Sequence, residues 1–255
     1  MFFRFCLLLM LSLPAHAYQF TKDFIDGFYW ASLPISITVI DKNETRKNFL
    51  KELARESIEA WENRTGLSLW SLSDGGTNNI IRWSDNFAAE TRMDPASVLA
   101  VAIRYTNGPY FAKTEVVING NHPLLYSGIA GNFNQNSVNY PNLKTTLTHE
   151  LGHTMGLDHS ENWSAIMYAT LQTHGASVTY DDDAGMRAAV SEMEHRQLIR
   201  YVSPLSYEKS DSQALSCGTT GPLTQASSGN GMVSLATGML IGFVRKIFKW
   251  FKSFF

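Results

Sequence analysis

The chain mixes two hydrophobic periods, one typical of strands and one typical of helices. Residues 35–40, ISITVI, form a β-branched run that predicts a strand. Residues 44–63 carry apolar side chains at helical spacing and are followed by Gly66, which predicts an amphipathic helix. Residues 67–72 and 78–84 predict two further short strands.

The second half of the chain continues this mixture. Residues 97–119 contain two extended segments joined through Asn107-Gly108, a strong hairpin signal. Residues 120–142 are rich in Asn, Gly and Pro and predict a loop. Helices are predicted over 143–155 and over 181–196, the second opening with three aspartates that suit a helix N-terminus.

The predicted helix over 143–155 has a buried face. Leu147, Leu151 and Met155 follow one another at intervals of four residues, so they form one apolar stripe. The stripe predicts that this helix packs against the core.

The two ends of the chain differ from the middle. Residues 1–17 combine a basic residue, an apolar run and an Ala-His-Ala ending, the layout of a secretory signal peptide, although a buried N-terminal helix is the alternative. We expect the exported chain to begin at Tyr18. Cys6 then leaves with the signal, and Cys217 alone cannot form an intramolecular disulfide.

The pattern after Tyr18 predicts three parts. Residues 18–202 would form the main folded domain, and residues 203–231, rich in Ser, Gly and Thr, predict a linker. Residues 232–255 are apolar and basic, and RKIFKWFKSFF sorts into one basic and one aromatic face on a helical wheel. This tail predicts membrane attachment or a sorting segment; docking on the folded domain or on a partner is the alternative.

Composition narrows the class of protein. The chain is 44% hydrophobic and 17% charged, as in ordinary globular proteins. Its formal net charge is −2, so nothing in the charge balance suggests nucleic acid as a partner. We therefore expect no nucleic-acid partner.

Residues 149–160, HELGHTMGLDHS, hold the densest candidate chemistry in the chain. His149 and His153 are four residues apart on a predicted helix, so they project from one face about one turn apart. That spacing allows both imidazoles to reach one zinc ion at ~2.1 Å. Glu150 lies on the adjoining flank, where it can accept a proton from a water molecule at the metal.

Gly156 and His159 extend this pattern. A helix that stops and turns sharply favours a residue that tolerates positive φ, and Gly does so at little cost. The turn would bring His159 back to the same ion as a third nitrogen ligand. Three protein ligands leave a fourth position open, which is typical of a catalytic zinc site.

The segment HELGHTMGLDH resembles the long zinc signature of the metzincin metalloproteases. That family also has a methionine-containing turn beneath the zinc, and Met167 in Ser164-Ala-Ile-Met-Tyr168 is the matching residue. Within the metzincins the chain is most similar to the matrixin branch, over about residues 29–200. The similarity includes Ser160 after the third histidine, Asn142-Leu143 before the zinc helix, Leu99-Ala100-Val101-Ala102 as an edge strand, and Asp181-Asp182 followed by Gly185.

The resemblance implies an α+β, zincin-like fold. Such a domain has a mixed, twisted sheet of five strands, an active-site helix, a backing helix and a C-terminal helix. It also implies one catalytic zinc bound by His149, His153 and His159, with Glu150 as general base in peptide-bond hydrolysis. Protein or peptide substrates would lie extended along the edge strand at residues 98–105.

The sequence leaves alternatives for Tyr168 and for a second metal site. Tyr168 is a candidate either for stabilising the oxyanion or for packing. Ca²⁺ is a possible second metal, with His122, His174 and Asp181–Asp183 as candidate ligands for calcium or a second zinc, but a solvated loop or a helix cap also explains these residues.

The chain departs from the family at two points. No cysteine lies between Tyr18 and the predicted domain, so we do not expect the propeptide cysteine that blocks the zinc in many matrixins. Ala169 stands where a proline usually follows the Met-Tyr pair.

The sequence allows two alternatives to an exported zinc protease. One is a metal-holding binding or adhesion module that has lost catalysis, against which the intact Glu150 argues. The other takes the third ligand from a downstream glutamate, Glu192 or Glu194, which Gly156 and His159 make unnecessary.

Overall fold

The computed structural model describes residues 17–172, 177–207 and 213–219, the last segment and Tyr207 as backbone only. All of these residues belong to the first of the two units into which the chain divides, residues 1–221. The predictions for residues 1–16, for His174 and for the tail at 232–255 concern residues outside the described part of the chain.

The described chain forms one mixed sheet. The strands are β1 (Ile35–Ile40), β2 (Trp70–Ser73), β3 (Ile80–Ser84), β4 (Val98–Asn107), β5 (Tyr110–Asn119) and β6 (Gln213–Thr219), in the spatial order β2-β1-β3-β5-β4-β6. The first four strands of that order run parallel to one another, and β4 is antiparallel to both of its neighbours. The predicted hairpin at Asn107-Gly108 is confirmed, with Gly108 at φ +55°.

Five α-helices accompany the sheet in the described residues. They are α1 (Lys22–Ile25), α2 (Glu44–Thr65), α3 (Phe87–Thr91), α4 (Tyr140–Thr154) and α5 (Tyr180–Leu198), with short 3₁₀ helices at Gln135–Ser137 and Pro204–Tyr207. The three long helices were predicted. Helix α2 is the backing helix and ends at Gly66, whose φ of +66° is the left-handed conformation expected after a helix.

Helix α4 begins three residues earlier than predicted. The side chain of Asn139 accepts a hydrogen bond from the backbone N–H of Asn142, which caps the helix. Pro141 then lies in the first turn, where the missing N–H needs no partner within the helix. The predicted stripe of Leu147, Leu151 and Met155 is fully buried.

The main core lies between the sheet and helices α2, α4 and α5. Two tryptophans fix α4 in it, because each donates from its indole nitrogen to a helix carbonyl. Trp61 on α2 bonds to the oxygen of Thr148 at 2.8 Å, and Trp30 bonds to the oxygen of Thr154 at 2.8 Å. These bonds hold the active-site helix at both ends of the HELGH stretch. A smaller cluster around Phe87 and Val101 covers the other face of β4.

The predicted α+β fold with five mixed strands is confirmed, and the structure adds a sixth strand.

Strand β6 comes from the segment predicted as a linker. The linker prediction is therefore wrong for residues 213–219, and also for residues 204–207, which form a 3₁₀ helix. The expected edge strand, with Leu99–Ala102, is therefore not at the edge of this sheet, since β6 pairs with it. The composition of residues 213–219 predicted a linker because composition does not show that another strand, here β4, has unpaired backbone groups to which the segment can bond.

None of the helices in the described part of the chain is long and apolar enough to span a bilayer.

Candidate metal centre

Helix α4 and the loop after it bring three histidines together. His149 and His153 project from the helix, and the loop returns His159 to them. The ring centroids of His149 and His153 are 4.6 Å apart, and that of His159 lies 5.3 Å and 5.0 Å from theirs. One ligand nitrogen from each ring lies within 4.8 Å of the other two. The three predicted ligands therefore converge on one point.

The hydrogen bonds of the two helical histidines define their tautomers. The Nδ1 of His149 contacts the carbonyl oxygen of Ile166 at 2.7 Å, and the Nδ1 of His153 contacts that of Leu157 at 2.7 Å. A carbonyl only accepts, so Nδ1 carries the proton in each ring. The Nε2 atoms of His149 and His153 then present lone pairs, and both are buried without a hydrogen-bond partner. This arrangement is typical of metal-ligating histidines, whose second nitrogen is bonded to a carbonyl.

The electrostatics favour neutral imidazoles. Burial lowers the pKa of His149 to about 3, with a smaller contribution from His159 in the same direction, against the hydrogen bond to Ile166, which raises it. Burial likewise holds the pKa of His153 well below its usual value. Neutral imidazole is the form that binds a metal ion.

The turn at Gly156 matches its prediction. Its φ is +91°, and its N–H donates to the carbonyl of His153 at 3.0 Å. A Cβ at this position would lie 2.6 Å from the ring of Phe24, so glycine is required by space as well as by conformation. Thr21 donates from its backbone and hydroxyl to the Gly156 carbonyl, at 2.9 and 3.1 Å, which fixes the turn against the N-terminal segment.

Glu150 and the methionine turn complete the centre. Glu150 follows His149 on α4 and its side chain is fully buried. Met167 is buried against Gly152 of α4: a Cβ on Gly152 would lie 2.3 Å from the Met167 sulfur. The bare backbone of Gly152 thus lets the methionine turn approach the helix between the two helical histidines.

A pocket opens beside the centre. Its wall combines side chains from β4, α4 and the methionine turn: Leu99, Thr145, Thr146, His149, Ile166, Tyr168, Ala169, Thr170, Leu171 and Gln172. Its aliphatic members are Leu99, Ile166, Ala169 and Leu171. Tyr168 lies in this wall half-buried, and Leu99 is the member of the predicted substrate strand that lines it.

Comparison with known families agrees with this geometry. The profile of the matrixin family, peptidase family M10, matches residues 29–189. The chain belongs to the matrixin family. Over 173 residues it is also 27% identical to matrilysin of Rattus norvegicus, an alignment that covers 62% of this chain and 57% of that protein.

Because matrixins use zinc, family membership makes zinc the metal whose fit to this site matters. The donor set fits zinc: His149 and His153 offer buried imidazole nitrogens, and His159 stands beside them with a side chain about one quarter exposed. Three nitrogen donors with one side open are typical of a catalytic zinc site.

Two aspartates of this matrixin domain act on the site in a way that the sequence did not reveal. The carboxylate of Asp182 accepts hydrogen bonds from the backbone N–H groups of Ile166 and Met167, each at 3.0 Å, and from the backbone and hydroxyl of Thr179. Burial raises the pKa of Asp182, and these hydrogen bonds act in the opposite direction. Asp182 thereby ties the methionine turn to the start of α5.

Asp181 performs a similar role for the segment after the third histidine. It accepts a hydrogen bond from the hydroxyl of Ser160 at 2.7 Å. The sequence offered both aspartates as a helix start, as part of the matrixin resemblance and as candidate metal ligands. It did not predict these hydrogen bonds, because long-range partners cannot be derived from a local pattern.

A buried ion pair supports the end of α4 and was also missed. Arg104 on β4 pairs with Asp23, with nitrogen–oxygen distances of 2.7 and 3.0 Å, and donates to the carbonyl of His153. The Arg104 side chain is 1% exposed. An arginine inside a strand gives no sequence signal for this contact.

The other candidate ligands have structural roles in the described residues. His122 contacts the Ala96 carbonyl with Nε2 at 3.1 Å and accepts from the Leu124 N–H with Nδ1, so both ring nitrogens are engaged. Glu192 pairs with Arg196 on α5. The histidine cluster is the one group of three or more converging metal-ligating side chains found among the described residues, and nothing there supports a calcium site.

Proposed function

We propose that the chain is an exported, zinc-dependent endopeptidase. The observation that carries the proposal is the pair of buried Nε2 lone pairs on His149 and His153, with His159 beside them and the carboxylate of Glu150 one residue from the first ligand. Membership of the matrixin family supports the same chemistry.

In this proposal His149, His153 and His159 bind the ion through nitrogen. When bound, zinc supplies a Lewis acid that lowers the pKa of water to about 7 and polarises the substrate carbonyl. Glu150 accepts the proton of the attacking water and then passes it to the leaving amine, acting as general base and general acid in turn. The carbonyl groups of Ile166 and Leu157 keep the two helical imidazoles in the required tautomer.

The substrate is proposed to be a protein or peptide bound in extended form along β4. An apolar side chain next to the cleaved bond would enter the pocket lined by Leu99, Ile166 and Leu171. Tyr168, in the same wall, can contact that side chain or the developing oxyanion.

Replacing Glu150 with Gln tests the proposal. Glu150→Gln keeps the shape of the side chain and removes the base, so hydrolysis of casein should fall by about 10²- to 10⁴-fold. Zinc content, measured by atomic emission, should be unchanged because the three histidines are untouched. Glu161→Gln is the matched control, since Glu161 is exposed on the following loop, and it should hydrolyse casein at the normal rate.

The same experiment separates the two functions considered from sequence. A catalytically retired binding module would show no zinc-dependent hydrolysis in the unmodified chain. Hydrolysis by Glu150→Gln at the normal rate would show that Glu150 is not the base.

The export part of the proposal rests on the sequence of residues 1–17, and membrane attachment rests on the sequence of residues 232–255. N-terminal sequencing of the isolated protein should begin at Tyr18. A chain ending at residue 231 should move from the membrane fraction to the soluble exported fraction, and an unchanged distribution would argue against attachment by the tail.

A further inference from the structure

The chain places one of its own strands along the strand assigned to substrates. Strand β6 is extended over Gln213–Thr219 and pairs antiparallel with β4, from Gln213 opposite Tyr105 to Thr219 opposite Val98. Its partners include Ala100, Val101 and Ala102, three of the four residues predicted to bind the substrate main chain.

The register brings the end of β6 level with the metal centre. Gly218 pairs with Ala100 and Thr219 with Val98, on either side of Leu99. Leu99 lines the same pocket as the metal-site residue His149. Backbone positions of β6 also lie within 8 Å of α4, the helix that carries His149 and His153. Strand β6 therefore lies beside both β4 and the metal-binding helix α4.

A substrate and β6 need the same hydrogen-bonding groups. One side of β4 is paired with β5, which leaves one row of backbone N–H and C=O groups for an added strand. An extended peptide gains its main-chain affinity from that row, and β6 uses it already. The two cannot pair with β4 at the same time.

We propose that Gln213–Thr219 is an intramolecular ligand of the β4 edge and competes with peptide substrates for it. The proposal rests on the function proposed above, in that β4 is taken to be the substrate-binding strand. The partner that this surface accepts is an extended peptide, and the segment that must leave before another binds belongs to the chain itself.

The attachment of β6 makes the competition effective. Residues 208–212 join β6 to the 3₁₀ helix at Pro204–Tyr207, and Ser203 is fully buried there, donating its hydroxyl to the carbonyl of Asp26. A strand tethered by a short connection has an effective concentration on the order of 1 mM. A peptide substrate present at micromolar concentration competes poorly with it, which raises the apparent KM.

Two prolines in β6 test the competition. Neighbouring residues of a strand point their N–H groups to opposite sides, so Leu215→Pro with Ser216→Pro removes at least one donor to β4. In the full chain, KM for a quenched fluorescent peptide should fall at least ten-fold, with kcat unchanged. Ala226→Pro with Ser227→Pro, downstream of the strand, is the matched control and should leave KM unchanged. An unchanged KM in the β6 variant would overturn the proposal.

A second measurement does not depend on turnover. In the Glu150→Gln background, a fluorescein-labelled peptide of sequence QALSSGT, residues 213–219 with Ser in place of Cys217, should bind the proline variant at least ten-fold more tightly than the control variant. Fluorescence anisotropy gives both dissociation constants. If the chain is not a protease, every version fails to hydrolyse the reporter, and this binding difference remains. Equal binding by the two variants would overturn the proposal even if hydrolysis is normal.

A third version avoids any change in β6. The cleavage sequence of an unrelated, site-specific protease replaces residues 208–212, and the chain is cut after folding. Cutting ends the tether, so after dilution KM should fall as in the proline variant. A chain with the same insertion at residues 222–226 keeps the tether after cutting and should keep its KM. A KM that does not change on cutting at 208–212 would contradict competition by a tethered strand.

Discussion

Gly156 shows how much of the metal centre depends on one residue. Its positive φ ends α4 and starts the return of the chain toward His159, and its missing Cβ leaves room for the ring of Phe24. The three imidazoles can converge only if the chain turns this tightly after His153. The sequence pattern predicted the turn because glycine is the residue that adopts this conformation at little cost.

Substitution of Gly156 by Ala should reduce both stability and metal binding. The left-handed conformation costs an L-residue roughly 1–2 kcal/mol, and the added Cβ also collides with Phe24. Gly131→Ala is a matched control, since Gly131 has a φ of +79° but nothing within 4 Å of its Cβ position. Thermal unfolding and zinc titration should show a larger loss for Gly156→Ala, with zinc affinity lowered in that variant alone. Equal effects of the two substitutions would show that the contact with Phe24 is unimportant.

At the scale of elements, α4 is held in place by groups that bond to its last carbonyls. Trp30 bonds to the carbonyl of Thr154, and Arg104 to that of His153 while pairing with Asp23. Burial alone would raise the pKa of Asp23, but the charge and hydrogen bonds of Arg104 outweigh burial and lower it. The N-terminal segment, β4 and the metal-binding helix are thereby linked through one ion pair.

Breaking this pair should destabilise the fold in a pH-dependent way. Asp23→Asn leaves the guanidinium of Arg104 buried without a counter-charge, which typically costs about 3–5 kcal/mol. Because the folded-state pKa of Asp23 is lowered, the stabilisation is present above the unfolded-state pKa of about 3.9 and is lost as pH falls through the folded-state value. Urea unfolding should therefore separate the variant from the parent fully at pH 7, and by a smaller free energy once the pH falls below the unfolded-state pKa.

Asp74→Asn provides the control for that experiment. Asp74 pairs with Lys51 at the surface, where its side chain is 90% exposed, so its removal should change stability little at any of these pH values. An Asp23→Asn effect as small as that of Asp74→Asn, or one that does not vary with pH, would contradict the role assigned to the Asp23–Arg104 pair.

The elements that could be predicted from sequence are those with a local signal. Strand β1 follows from its β-branched run, α2 from its helical period and α4 from its apolar stripe and zinc motif. Helices α1 and α3 span only four and five residues, too few for a period to emerge. Strand β6 was missed because its stability comes from pairing with β4, more than a hundred residues away in sequence.

The candidate site divides along the same line. His149, Glu150, His153, Gly156 and His159 stand in one continuous motif and were predicted from it, whereas Met167 was predicted from the family resemblance of the turn that follows. Asp182 bonds to that turn and Arg104 to the motif, both through backbone groups, which any sequence supplies. Nothing in the identity of Ile166 or His153 indicates which side chain will bond to its backbone.

At the scale of the whole molecule, the sheet, the metal-binding helix and the methionine turn share one core. The core positions β4 beside the metal centre, and β6 then covers the remaining side of β4. Under the proposed competition, hydrolysis of peptide substrates should depend on release of β6 as well as on the metal. This property belongs to the arrangement of distant segments and to no single motif.

The central claim is that three imidazoles bind one zinc ion. X-ray absorption at the zinc edge, with metal analysis of the purified full chain, tests it most directly. The account predicts one zinc per chain with three histidine nitrogens at about 2.0–2.1 Å, and a loss of one nitrogen ligand in His159→Ala. A chain isolated without chelators that takes up no zinc, or an unchanged spectrum in His159→Ala, would contradict the account.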